Sequence, residues 1–290
     1  MLTTFMKANH ALGSKMNTFV AGNCLKFRSS LFIAPMLVLA GIILFLDLHD
    51  ALNTVGYINI QKDCFYFLNA RLSQFPILMF NLTQLGDEII ILSLLSIFVL
   101  LAPKLWEALL TASLVSCILS STLKKIFSIP RPAAVFEPDS FVIIGKTLHG
   151  HNSLPSGHSI TVFTVLTILL FAFMPQKLIY MILWSLLIMG IGLILVLTRV
   201  GVGAHYPLDT IIGATIGYLA ALSGILINKH YKIWSWINNK SYYPIFILFF
   251  VICGICIINK AVDHHLFIFY IAFASLIISL YKIIHVYVKK

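Results

Sequence analysis

Charge is what this chain has least of. Only 10% of its 290 residues are Asp, Glu, Lys or Arg, against about a quarter in soluble domains, while 60% are hydrophobic. With a mean hydropathy of +0.97, a water-soluble fold is excluded. Acidic residues are scarcer still, 10 against 20 Lys and Arg. The basic residues are scattered among apolar runs and form no cluster on a soluble face, so nucleic acid is not an expected partner. Cysteine is too sparse for a disulfide framework. Cys24, Cys64, Cys117, Cys253 and Cys256 are widely spread, and the C-x-x-C pair Cys253 and Cys256 lies inside an apolar run, where small polarizable residues pack. Internal repeats, low-complexity segments, an interdomain linker and a small-residue cleavage pattern are all missing. The first apolar run therefore reads as an uncleaved anchor.

What the chain does have is long uncharged stretches. Eight approach the length that crosses about 30 Å of hydrocarbon: 31–46, 89–103, 105–123, 159–175, 178–198, 210–228, 244–258 and 266–281. Residues 75–86 are semi-apolar and read as an interfacial helix. The expectation is an all-α polytopic transmembrane bundle. Charge sorting tests that topology independently. With the N-terminus inside, the inside segments hold Lys7, Lys15, Lys26, Arg28, Lys104, Lys177, Lys229, Lys232, Lys240, Lys282, Lys289 and Lys290, and the single acid Glu107. All other acids fall outside or at outer helix ends. The net charge of +10 is thus explained by topology and by attraction to anionic lipid.

This topology sends three short polar segments to one side of the membrane. Lys124 follows the third run, and Arg131 is held between Pro130 and Pro132. Pro155-Ser156-Gly157-His158 opens the fourth run, where free backbone N–H groups and a small hydroxyl form an anion site. Arg199 closes the fifth run, followed by His205, with Asp209 in the first turn of the sixth. Singly, each has a bland reading: snorkelling cations, a serine N-cap, an acid at a helix N-terminus. Together they supply three cations for phosphoryl oxygens, two histidines and one orienting carboxylate, the groups that phosphoryl transfer needs. His149 and His151 lie nearby, but neither Cys nor an acidic cluster joins them, so they are read as lining the entrance and no metal or cofactor is expected.

The spacings K-x6-R-P, P-S-G-H and R-x5-H-x3-D across residues 124–209 resemble the type 2 phosphatidic acid phosphatase (PAP2) superfamily, of the lipid phosphate phosphatase type. Thr198 stands where the family usually has serine. The resemblance implies a six-helix core over residues 31–228, preceded by a cytoplasmic segment 1–30 and followed by an extra helix pair over 229–290. It implies His205 as nucleophile, Asp209 orienting it, and His158 as acid and then base. Lys124, Arg131, Arg199, Ser156 and the Gly157 amide would bind phosphate, without a metal. The implied partners are the bilayer and a phosphorylated lipid: undecaprenyl diphosphate, phosphatidylglycerol phosphate, phosphatidate or lipid A. The implied location is the bacterial inner membrane, with the site on its extracytoplasmic face. Transfer of the phosphoryl group to a lipid acceptor and a non-catalytic anion-binding or transport role remain as alternatives.

Overall fold

Helices make up all the regular secondary structure in the computed structural model, which describes residues 2–26 and 28–288. Lys289 and Lys290 of the charge pattern lie outside those residues. In chain order the helices are α1 (Leu2–Leu25), α2 (Ile33–Leu48), α3 (Thr54–Asn59), α4 (Lys62–Leu72), α5 (Pro76–Thr83), α6 (Glu88–Leu94) and α7 (Phe98–Leu101). After these come α8 (Pro103–Phe127), α9 (Pro132–Val135), α10 (Gly157–Ala172), α11 (Leu178–Gly201), α12 (Pro207–Tyr231), α13 (Tyr243–His264) and α14 (Phe267–Val288). Six of them are long and apolar enough to cross a membrane: α2, α8, α11, α12, α13 and α14. The chain is an all-α integral membrane protein.

Two of the eight expected runs behave differently. Residues 89–103 do not form one span. Helix α6 stops at Leu94 and α7 covers four residues, with a turn between them whose Ser96 hydroxyl lies 2.6 Å from that of Ser279 in α14. At its start, α6 bends 82° away from α5, so the stretch expected to lie at the interface is half of a broken pair. Asp87 causes the restart: its backbone is extended, and its carboxylate accepts from the N–H groups of Ile89 and Ile90. The run 159–175 becomes α10, only 16 residues long, ending ahead of Pro175.

The central packing is α10 against α12 and α12 against α8. Gly217 makes the first approach possible, because a β-carbon there would sit 2.3 Å from the Ile160 carbonyl oxygen. Small residues let helix backbones close up where lipid supplies no hydrophobic drive between helices. The C-terminal pair is equally integrated. Phe246, Phe250, Phe269 and Leu276 form one buried cluster with Ile90 and with Trp106 of α8.

Helix α1 carries no long apolar run and is not expected from hydropathy. Tertiary contacts make it: Val20 is fully buried, the Asn17 side chain accepts from the N–H of Lys104, and Asn23 donates to the carbonyls of Ala172 and Met174. It thereby satisfies backbone groups that the ends of α8 and α10 leave open. Those ends lie at the pole of the bundle opposite Lys124 and His158.

Candidate active site

Helices α8 and α11 finish, and α10 and α12 begin, at one pole of the bundle. Short backbone pairings tie the intervening loops together. Arg131 donates its N–H to Gly150 and Ser153 to Ile129, which brings the segment before α9 alongside the segment before α10. The Ser156 N–H bonds the Asp209 carbonyl, joining the starts of α10 and α12. Asn69 of α4 donates to the Val200 and Gly201 carbonyls and so satisfies the buried C-terminal end of α11. Arg199, one residue earlier, is thereby held in place.

His205 is 1% exposed and central. Its Nε2 lies 3.3 Å from Nη1 of Arg131, which also donates to the Ala204 carbonyl, while the Arg131 Nε donates to Asn152 at 2.7 Å. Its Nδ1 lies 3.5 Å from Asp209 Oδ2 and 3.4 Å from Ser153 Oγ. Ser153 in turn donates to the same carboxylate oxygen at 2.6 Å. The carboxylate thus reaches the imidazole both directly and through a serine hydroxyl. Asp209 is fully buried and also accepts from the Tyr57 hydroxyl at 2.8 Å and the Tyr206 N–H at 3.0 Å. Four donors around one carboxylate hold it aimed at the imidazole.

Burial holds the His205 imidazole well below the ordinary histidine value of 6.5, and the positive charges of Arg131, Arg199 and Lys124 press it down further. It is therefore neutral at pH 7, with a lone pair free on one nitrogen. The Tyr57 phenol moves the other way, raised well above 10 by burial and by the Asp209 charge, so it stays a donor.

The remaining expected residues converge on this centre. A β-carbon on Gly157 would lie 3.0 Å from Lys124 Nζ, so the lysine lies against the first turn of α10. Arg199 is 7% exposed; its Nη1 donates to Thr83 at 2.7 Å and its buried Nε has no partner. Lys124, Arg131 and Arg199 form no ion pair among the described residues. Three cations beside one committed carboxylate leave an excess of positive charge, which suits a polyanion. Ser156 caps α10: its Oγ accepts from the N–H and hydroxyl of Ser159, and its own hydroxyl hydrogen is not spent in those contacts. His149 bonds the Ala133 carbonyl and is exposed, as is His151; no group of three His, Cys, Asp or Glu with metal-binding geometry occurs among the described residues.

Sequence reasoning missed Tyr57, Thr83, Asn152 and Ser153. The last two lie just ahead of the Pro155 motif, separated from it by Leu154, and their polarity in a loop between apolar runs is a usable signal. Tyr57 lies 152 positions from its partner and offered none.

The model of the PAP2 superfamily matches residues 105–230. No curated protein matches the chain. The crystal structure of Aquifex aeolicus LpxE is similar at 25% identity, covering 58% of this chain and 95% of that one, with a TM-score of 0.49. Lys124, Arg131, Ser156, His158, Arg199, His205 and Asp209 all fall inside the segment of this integral membrane protein, residues 105–230, that matches the PAP2 superfamily.

Proposed function

We propose that the protein is a membrane lipid phosphatase that works through a phosphohistidine at His205. One observation carries this reading: three cations without an ion pair among the described residues, Lys124, Arg131 and Arg199, gather at the same helix ends as two histidines, and the carboxylate paired with His205 is already committed to orienting it. Such a site stabilises charge on a phosphoryl group better than it does any neutral substrate.

In the proposed reaction the phosphate lies between the three cations and the N-terminus of α10, where Gly157 keeps the backbone accessible. His205 Nε2 attacks phosphorus while the bond from phosphorus to the leaving oxygen breaks. Burial, then the charges of Arg199 and Lys124, hold the His158 imidazole below 6.5; the negative charge of the incoming phosphate favours its protonated form, which gives the proton to that oxygen. His158 then takes a proton from water, whose oxygen attacks phosphorus and breaks the P–N bond, releasing phosphate and restoring both imidazoles. Ser153 and Asp209 keep Nδ1 protonated, leaving Nε2 as the attacking atom.

The substrate enters laterally, anchored by its chains, at the level of the lipid head groups. Basic residues at the opposite pole, among them Lys104, Lys177 and Lys229, favour that pole as cytoplasmic, and hence an extracytoplasmic site in a bacterial inner membrane. Phosphate release from a lipid panel by purified protein tests the reading. Wild type is expected to release phosphate and His205→Ala none; equal activity in the two would refute it.

A further inference from the structure

A cavity of about 370 Å³ opens beside the site, lined by His158 but not by His205. It runs along α8 past Ser120 to Ser116, which with Lys124 are spaced four residues apart on one face. Two helical turns at 1.5 Å per residue carry it about 12 Å inward from the phosphate-binding lysine. Its opposite wall is the bend between α5 and α6. Gly86 makes that wall close: a β-carbon there would collide with His158 Cβ at 2.6 Å. The lining is polar where lipid-facing surface would be apolar. Ser116, Ser120, Ser121 and Thr161 supply hydroxyls, and Asp87 and Glu88 supply carboxylates.

The two acids differ in what they already do. Asp87 is used up, capping α6 and pairing with Lys260 of α13 at 2.5 Å. That pair also fastens the C-terminal helices, which lie outside the family match, to the bend that His158 packs against. Glu88 hydrogen-bonds Thr161 and forms no ion pair among the described residues. Its exposed carboxylate lines the cavity without a cation and is an acceptor open to a donor.

We infer that this cavity holds the leaving-group part of the substrate and that Glu88 selects a neutral, hydroxyl-bearing head group over one that carries a second phosphate. The inference rests on the phosphatase reading, because the group that protonates the leaving oxygen must face the leaving group. His158 is that group, and the cavity is on its side. A carboxylate accepts hydrogen bonds from sugar or polyol hydroxyls, gains nothing from bare hydrocarbon, and repels a phosphate.

The test measures kcat/KM for phosphate release by purified full-length protein in mixed micelles, with three probes: dodecyl glucoside phosphate, dioleoyl phosphatidate and farnesyl diphosphate. Their leaving groups are respectively hydroxylated, apolar and anionic. Wild type is expected to prefer them in that order. Glu88→Gln is expected to reduce the preference for the glucoside phosphate over the diphosphate by about tenfold or more, the size of one charged hydrogen bond. Thr161→Val, which keeps the carboxylate, is expected to move the same ratio in the same direction by a smaller factor, and gel filtration of both variants reports their folding. A wild type that prefers farnesyl diphosphate, or ratios unchanged in both variants, would overturn the inference while leaving the phosphatase reading standing. A wild type inactive on all three probes would remove that reading, and this subsite with it.

Discussion

The two poles of the bundle bury the same kinds of group and treat them in opposite ways. At the pole of α1, Glu107 is fully buried and fully answered: Lys104 pairs with it at 2.7 Å, and Asn238 and Asn228 donate to its two oxygens. One acid meets one base, and three helical segments are tied together. At the other pole Arg131 and Arg199 are also buried, Lys124 lies beside them, and among the described residues none forms an ion pair with an acid. Burying charge is costly unless it is paired, so a protein that pairs it at one end and not at the other is holding the second end ready for an anion.

Substitutions at the two poles should therefore separate activity from stability. The largest effect is expected from His205→Ala, with a loss of about 10⁴-fold or more in kcat, as for removal of a nucleophile, and a melting temperature close to that of wild type. A stopped phosphate-release assay and a thermal melt on the same preparation check both halves. At the opposite pole, Lys104→Ala leaves the buried Glu107 carboxylate with only its asparagine donors and is expected to cost about 1–3 kcal/mol of stability. Its kcat/KM, measured below the melting transition, should stay close to that of wild type. If Lys104→Ala abolished activity without destabilising the protein, the contrast between the poles would fail.

Much of this arrangement is legible in the sequence, and the reasons differ by residue. Lys124, His158, Arg199 and Asp209 sit beside the ends of apolar runs, and Arg131 and His205 in the loops that follow two of them, where hydropathy sets the helix boundary and charge sorting sets the side. Residues 89–103 do not form one span because a turn at 95–97 ends α6, and hydropathy registers neither that turn nor the Asp87 N-cap that bends α6 away from α5. Tyr57 and Thr83 were invisible because their partners, Asp209 and Arg199, lie more than a hundred positions away. Helix α1 was invisible for a related reason: asparagines meeting helix ends hold it, and asparagine in a polar N-terminal segment carries no signal of its own.

Smaller effects sharpen the picture inside the site. Ser153→Ala removes the hydroxyl that links Asp209 to His205 Nδ1 and is expected to lower kcat/KM by about ten- to a hundredfold, the range for losing a hydrogen bond to a charged group. Tyr57→Phe, which removes one of the four donors on Asp209, is expected to fall at the lower end of that range. Steady-state kinetics on one lipid substrate would rank the two, and the reverse order would mean that Tyr57, not Ser153, dominates the hold on Asp209.

The smallest expected effect is on pH dependence. Burial and the neighbouring cations hold His205 below 6.5, so the acid limb of kcat/KM should lie below that value, activity being lost as the imidazole takes up a proton. Replacing Arg131 by glutamine takes away a positive charge that opposes protonation. The limb should then move to higher pH, on top of any loss of phosphate binding. A limb that stayed fixed in Arg131→Gln would separate the observed titration from His205.

The central claim is that His205 becomes covalently phosphorylated. Acid-free quenching of the purified protein during turnover of a radiolabelled lipid phosphate, followed by gel separation, tests it directly. The account predicts a label that is lost in acid, survives alkali and disappears in His205→Ala. Phosphate release by wild type with no protein-bound label even when His158→Ala slows breakdown of the intermediate, or a label that persists in His205→Ala, would contradict it.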